Sequence, residues 1–279
     1  MNKSIQTIPF SDKAIPQLSD FAKKTLNKTT TAWFIIAVIG QWLFAYYILA
    51  FYGGATVQGD FEKWNTRLEH HFTQGDFLGN LMIFSHIALA FIITLGGPLQ
   101  IIPSLRNRFM KFHRWNGRAY VLTALLISIA GLYLIFVRGI VGGLVIGIGN
   151  IINATLIMTS AILTWRFAMQ KKMEKHRRWS LRLFVLANGV WFFRLGFAFW
   201  ILIHQGAPGH TDDFTGPFDI ALGYGHTLLP LAILELYFWV RRKASTRVYL
   251  SMSILLAVIS LVMAGAIFAA GMVFWFPLL

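Results

Sequence analysis

The sequence predicts an all-α fold, a polytopic transmembrane helix bundle of about seven spans, with its N-terminus in the cytoplasm. Hydrophobic residues make up 56% of the 279-residue chain, and the mean hydropathy is +0.60. Charged residues make up only 13%, about half of the roughly 25% that is typical of soluble domains. The net charge of +14 is spread over short runs between apolar stretches, as in topology signals rather than nucleic-acid-binding surfaces.

A transmembrane helix needs about 20 apolar residues, and each predicted span meets this length. The predicted spans are 32–52, 80–102, 119–137, 144–165, 182–203, 219–240 and 249–275. We expect the first and last spans to lie at the periphery of the bundle. Pro98 and Pro230 are the positions at which spans are expected to break.

The chain is predicted to have one transmembrane domain, residues 31–279, preceded by a cytoplasmic tail, residues 1–30. Within the tail, apolar residues recur at helical spacing beside lysines, which predicts an amphipathic helix lying on the anionic inner leaflet. Orientation follows from the basic residues, because cytoplasmic loops carry an excess of lysine and arginine. The tail and the segments 103–118, 166–182 and 241–247 hold 21 of the 25 basic residues.

Two segments of the chain resemble each other. Residues 113–122 and 176–186 share His, Arg, Trp, Arg, Val and Leu in the same order once one residue is inserted. Each segment lies at the predicted cytoplasmic end of a helical hairpin. This predicts that spans 2–3 and spans 4–5 are parallel copies of one unit.

The same motifs carry a family resemblance. They are His86, Gly97-Pro98-Leu99-Gln100, Leu105-Arg106-Asn107-Arg108, His113-Arg114-Trp115-Asn116-Gly117-Arg118-Ala119-Tyr120, His176-Arg177-Arg178-Trp179 and Arg182. In this order the motifs resemble domain-of-unknown-function family 2306, over roughly residues 80–200. The resemblance implies a multi-pass protein of the bacterial cytoplasmic (inner) membrane, and it supplies neither an activity nor catalytic residues.

Polar side chains inside the spans are candidate functional groups, because such groups are costly in lipid. One layer of the outer half is predicted to hold them, roughly 9–14 Å below the surface at 1.5 Å per residue. Its members are His86, Asn150, Asn153, Arg194 and His226. Glu235 is the further polar residue of the spans, placed in their inner third.

A second candidate group lies at the predicted inner face. His113 and His176 each stand at the start of a helix and are each followed by arginine. Helix N-termini favour anions, so this surface is predicted to bind anions or lipid headgroups. The arginines assigned to it are Arg114, Arg118, Arg177, Arg178 and Arg182.

The leading interpretation is a redox protein that binds haem b or a quinone. Haem iron takes axial imidazoles, and His86 with His226 would form an outer pair, His113 with His176 an inner one. Iron between His86 and His226 is the only metal site that this interpretation includes. Alternatively, Arg194, His226 and the two asparagines would bind a quinone carbonyl or an acidic headgroup.

Two other function classes stay open at this point. A small-solute or proton-coupled transporter would use Arg194, Glu235 and His226 as part of a relay. A lipid-binding or structural protein would use the inner arginines only for lipid phosphate and topology. The predicted partners are membrane lipids and a small-molecule or quinone ligand, not nucleic acid. The chain has no cysteine, phosphate-binding glycine loop or Ser-His-Asp arrangement, so soluble-type enzymatic chemistry has no support.

Overall fold

Helices form nearly all of the structure, a computed structural model that describes residues 20–66, 72–137, 139, 142–243 and 245–278. The first span is continuous from Asp20 to Gln58: helix α1 (Asp20–Tyr47), a π-helical segment (Ile48–Gly53) and helix α2 (Gly54–Gln58). The following helices are α3 (Phe77–Ile101), α4 (Pro103–Arg108), α5 (Met110–Val137), α6 (Gly143–Met169), α7 (Met173–Ala187), α8 (Gly189–His204), α9 (Pro217–Lys243) and α10 (Thr246–Ala270). A π-helical segment (Gly271–Trp275) extends α10, and short 3-10 helices occupy Phe61–Thr66 and Phe276–Leu278.

Six of the described helices are long and apolar enough to cross a membrane. The pair α7 and α8, bent by 49° at their junction, forms a seventh span if it is counted as one. The described residues contain no strand. The prediction of an all-α transmembrane bundle is therefore confirmed, while its orientation stays a prediction. We call the two ends of the bundle basic (103–118, 166–182, 241–243, 245–247) and acidic (58–66, 72–76, 205–216).

Several helix boundaries follow from local chemistry. The Asp76 carboxylate accepts a hydrogen bond from the backbone N–H of Gly79 at 2.8 Å, which caps the start of α3. Helices α4 and α9 begin with proline, which has no N–H to leave unpaired in the first turn. Helix α8 ends at Gln205, whose φ of 50° is left-handed.

The first and last spans form the most buried part of the bundle, so the expectation that they are peripheral is wrong. In each, 44% of the residues in the most apolar stretch are buried, against 17% in α3 and in α9. They pack against each other and against α8 around Phe44, Trp191 and Trp275. Small residues on α10, such as Ala266 and Ala270, let the helices approach closely.

The two predicted repeat units appear as two helical hairpins. Helix α3 packs mainly on α5, helix α6 packs mainly on α7, and α5 joins the hairpins by packing on α6. At the basic end, residues 20–30 of the predicted tail form the first turns of α1. Ala22 and Leu26 are buried there against α9 and α10. The rest of the predicted interfacial helix lies outside the described residues.

The helices do not break where the prolines are. Helices α3 and α9 run on through Pro98 and Pro230, and the interruption lies instead at Asn188, between α7 and α8. A proline removes one backbone hydrogen bond, and neighbouring helices can compensate for that loss inside a membrane.

Gly40 is predicted to be essential for the contact between α1 and α10. A Cβ at this position would lie 2.5 Å from Ile267 Cδ1 and 2.8 Å from Trp191, whereas a Cβ on Gly54 would meet nothing within 4 Å. Gly40→Ala should destabilise the protein by about 1–3 kcal/mol through overpacking. Gly54→Ala should be neutral or slightly stabilising, because alanine favours a helix. Thermal unfolding in detergent compares the two variants, and equal melting temperatures would contradict this packing.

Candidate ligand-binding site

The interruption between α7 and α8 is a tight turn at Asn188. This residue is 3% exposed, its side-chain Nδ2 donates to the carbonyl of Phe184 at 2.7 Å, and its backbone N–H donates to that of Val185 at 3.3 Å. Helix α8 therefore starts anew at Gly189, inside the span. The start of a helix carries a partial positive charge. In a membrane, such irregular backbone is tolerated only where it is buried in protein or lines a cavity.

His226 on α9 faces this helix start. It is 7% exposed, and its Nδ1 lies 3.0 Å from the backbone carbonyl of Leu222. A carbonyl can only accept, so Nδ1 carries the proton and donates. The Nε2 atom then remains available, since no described residue bonds to it. The Phe193 ring meets the imidazole edge to face, with 5.7 Å between the ring centroids.

Asn153 on α6 reaches the same place. A Cβ on Gly189 would lie 3.0 Å from Asn153 Nδ2 and 3.1 Å from His226 Cδ2. A side chain at this position would therefore force Asn153 or His226 to shift. Asn153 Oδ1, Asn188 Oδ1 and the hydroxyl of Thr227 are buried without a hydrogen-bond partner among the described residues. Buried polar atoms normally find a partner, so this region has unmet capacity to bind a polar group.

A cavity of about 2050 Å³ runs past this region. It extends from the basic end, where His113 and His176 line it, past His226 to Trp200 and Phe218 towards the acidic end. Apolar side chains from α8, α9 and α10 form most of its wall between these points. The cavity is thus apolar along most of its length, with His226 near the helix interruption and further polar groups at the basic end.

At the basic end, Gln100 holds the start of α5. Its amide is best oriented with Oε1 accepting from the backbone N–H of Gly117 at 3.0 Å and from Asn116 Nδ2. Its Nε2 then donates to His113 Nδ1 at 2.9 Å. The other proton of Asn116 Nδ2 goes to the Gly96 carbonyl at 3.1 Å. The motifs 97–100 and 113–120 are therefore joined by hydrogen bonds.

Gly97 explains how these helices come so close. A Cβ there would lie 3.0 Å from the Tyr120 ring and 3.3 Å from the Phe184 ring. The absence of a side chain lets the end of α3 approach both α5 and α7.

His176 on α7 occupies the corresponding place in the second hairpin. Its Nδ1 lies 3.0 Å from the carbonyl of Thr164 on α6, so it donates there. His113 bonds back to Gln100, and His176 bonds back to Thr164, so each uses a residue on the preceding helix of its own hairpin. Both imidazoles line the cavity, and they interact electrostatically with each other.

The structure does not bring His86 and Arg194 to His226. His86 packs against α5, where a Cβ on Gly131 would lie 3.6 Å from its Cε1. The Arg194 guanidinium lies over the Phe44 ring of α1, 5.2 Å from the centroid. Neither residue lines the cavity. Phe193 on α8 faces His226, and Arg194, the next residue, points about 100° away from it around the helix. Asn150, one turn before Asn153, is half-buried.

Two of the arginines assigned to headgroups meet carboxylates of the chain instead. Arg182 binds Glu235 through two hydrogen bonds, Nε to Oε1 at 2.5 Å and Nη2 to Oε2 at 2.9 Å. Arg178 binds Glu174 at 2.5 Å, one helical turn away. Arg114 and Arg177 line the cavity, and so does Arg118, whose guanidinium also lies 5.2 Å from the Trp115 ring centroid.

A compact loop, residues 205–216, lies next to the cavity at the acidic end. The fully buried Asp219 carboxylate accepts hydrogen bonds from the backbone N–H groups of Thr211 and Gly216, both at 3.1 Å, and lies 2.7 Å from His210 Nδ1. Hydrogen bonds from the hydroxyls of Thr211 and Thr215 lower the pKa of the exposed Asp213. These contacts hold the loop in place beside the cavity, which Pro208 and Gly209 help to line.

The family model described as "Predicted membrane protein (DUF2306)" matches residues 83–239, more than half of the chain. The chain belongs to this family. The DUF2306 match includes nearly all of both hairpins, the interruption at Asn188, His226 and the segments 103–118 and 166–182 of the basic end, but not α1 or α10. The family description names no activity. No curated protein and no solved structure matches the chain.

Sequence reasoning missed three parts of this site. Gln100 was recognised only as part of a motif, and the carbonyl of Thr164 has no sequence signal. The pair Asn188-Gly189 did carry a signal, because a glycine that interrupts an apolar span points to a binding site.

The Arg182–Glu235 pair is predicted to couple α7 to α9 energetically. Arg182→Gln and Glu235→Gln should each destabilise the protein, because each leaves the other charge unpaired. The side chains are 20% and 42% exposed, so solvent moderates the loss. In a double-mutant cycle we expect a coupling energy of about 0.5–3 kcal/mol. If the losses of unfolding free energy in the two single variants add up to the loss in the double variant, Arg182 and Glu235 are not coupled.

Proposed function

We propose that this membrane protein binds an isoprenoid quinone or quinol, with the head at the interruption between α7 and α8 and the chain in the apolar cavity. The carrying observation is the buried His226, whose Nδ1 is fixed by Leu222 while its Nε2 remains available beside Asn153. The proposal keeps His226 and Asn153 from the predicted polar layer and leaves out His86 and Arg194.

The two side chains complement a quinol hydroxyl. Neutral His226 offers the Nε2 lone pair as an acceptor, and Asn153 Nδ2 offers a donor at the same place. One ligand oxygen can therefore donate to His226 and accept from Asn153. A quinone carbonyl keeps the bond from Asn153. The partial positive charge at the start of α8 favours the same electron-rich oxygen.

The cavity suits the rest of such a molecule. Pockets for drug-sized ligands span about 300–1,000 Å³, and this one, at about 2050 Å³, is larger. Its length of apolar wall, including Phe192, Phe199 and Met263, matches a long apolar chain better than a compact solute.

Substitutions at the head site should weaken quinone binding. His226→Leu and Asn153→Leu remove the acceptor and the donor, and Gly189→Ala fills the space between them. We expect each to lower co-purified quinone, measured by extraction and mass spectrometry, by about tenfold, since the loss of one partner of a buried hydrogen bond costs about 1–3 kcal/mol. His204→Leu is the control, because His204 is exposed and does not line the cavity. Equal quinone content in all variants would exclude this site.

An absorption spectrum separates quinone from haem b, the other cofactor of the redox interpretation. His86 and His226 pack against different helices, so the geometry lends no support to iron held between them. We expect a flat visible spectrum in oxidised and dithionite-reduced protein from haem-replete cells. A Soret band that is lost in His226→Ala would replace the quinone proposal by haem.

A proton-coupled transporter is a second candidate, and the interrupted span is the observation that favours it. Transporters commonly place their substrate sites at such interruptions. In this candidate Glu235, which Arg182 holds, would gate rather than relay protons. Proton flux into proteoliposomes that the wild-type protein supports and Glu235→Gln does not would favour transport. No proton flux with the wild-type protein would favour ligand binding alone.

A further inference from the structure

The basic end of the cavity has a mouth whose positive charges are not neutralised by the chain. Its residues are Arg106, His113, Arg114, His176 and Arg177, which we call the basic mouth. Among the described residues no ion pair involves any of its arginines, and Arg106 makes only one long hydrogen bond, to its neighbour Asn107 at 3.4 Å. Each uncompensated cation at a cavity wall favours an anion there.

The nearby carboxylates are already used. Within the described part of this end, Glu174 binds Arg178 and Glu235 binds Arg182. These pairs occupy both carboxylates, so neither neutralises the arginines of the basic mouth. Other basic residues of this end, such as Arg108 and Lys111, do not line the cavity, whereas the arginines of the basic mouth do.

The two histidines have opposite hydrogen-bonding states. The amide nitrogen of Gln100 donates to His113 Nδ1, so the proton of neutral His113 is on Nε2. His176 donates from Nδ1 to the Thr164 carbonyl, so its Nε2 is free to accept a proton. One histidine thus offers a donor and the other an acceptor.

We infer that the basic mouth binds a phosphate monoester between His113 and His176. A phosphate oxygen accepts from His113 Nε2, and the phosphate hydroxyl that a monoester retains donates to His176 Nε2. Arg106, Arg114 and Arg177 supply charge, and guanidinium groups bind phosphate oxygens in pairs. Because the mouth opens into an apolar cavity, the phosphate is the monoester headgroup of a lipid whose chain enters that cavity. The inference does not rest on the quinone site, which uses other residues.

The probe is dodecyl phosphate, added to the full-length protein in dodecyl maltoside, and the readout is the rise in melting temperature. A ligand that binds only the folded state stabilises it by mass action. Inorganic phosphate at the same concentrations is the second arm. Stabilisation by dodecyl phosphate alone identifies a lipid source, and equal stabilisation by inorganic phosphate overturns the lipid assignment in favour of free phosphate.

Variants with asparagine test the histidines without removing their structural bonds. The asparagine amide lies near the position of Nδ1, so His113→Asn still accepts from Gln100 and His176→Asn still donates to Thr164. Both lose the Nε2 atom. Without dodecyl phosphate, we expect both variants to have the melting temperature of the wild-type protein. Their apparent affinity for dodecyl phosphate should be at least about tenfold weaker. His176→Gln places its amide near Nε2 and should recover part of the affinity.

Arg106 and Arg108 provide a matched charge control. They lie on the same short helix, α4, but only Arg106 lines the cavity. Arg106→Gln should weaken dodecyl phosphate binding, and Arg108→Gln should leave it unchanged. Equal weakening by the two would show that general surface charge is responsible, and wild-type affinity in both asparagine variants would overturn the site.

Discussion

Inside a bilayer every backbone N–H and C=O must be bonded within the protein, and this constraint shapes the whole site. A continuous helix satisfies it automatically. The turn at Asn188 does not, so it has to be enclosed by other helices. Helices α6 and α9 enclose it, and they bring Asn153 and His226 to the start of α8. The interruption, its polar neighbours and the cavity beside them are therefore consequences of one local departure from helical geometry.

Composition and hydropathy predicted the fold because lipid leaves few alternatives. Spans of about 20 apolar residues can only be helices here, and the structure has six of them, or seven with the bent pair of α7 and α8. The depth of a side chain also follows from counting residues along a span. The direction in which the side chain points does not follow from counting. For this reason the residues of the predicted polar layer lie in different places in the structure. Phe193 and Arg194 are adjacent, yet one contacts His226 and the other lies over Phe44. Only the packing of α8 against α1 and α9 decides which of them contacts His226.

The burial of the first and last spans has a similar cause. Their sequences are as apolar as the others, and apolarity cannot distinguish a lipid contact from a protein contact, because lipid chains and leucine side chains are equally apolar. Close packing depends on small residues at matching heights, such as Gly40 opposite Ile267. Glu235 illustrates the same limit for charge. Its cost in the membrane indicated a partner, but that partner, Arg182, is 53 residues away in the chain, and no spacing rule connects them.

The two hairpins carry similar motifs and yet form an asymmetric site. Both place a histidine at the start of their second helix and fix its Nδ1 on the preceding helix. In the first hairpin the fixing group is a side-chain amide that donates, and in the second it is a backbone carbonyl that can only accept. The proton is consequently on opposite nitrogens of the two rings. If Nδ1 of both rings had the same kind of hydrogen-bonding partner, the two Nε2 atoms would both be donors or both be acceptors towards the cavity. The exchange of one hydrogen-bonding partner instead produces a donor and an acceptor, which together match a group that carries both, such as a protonated phosphate.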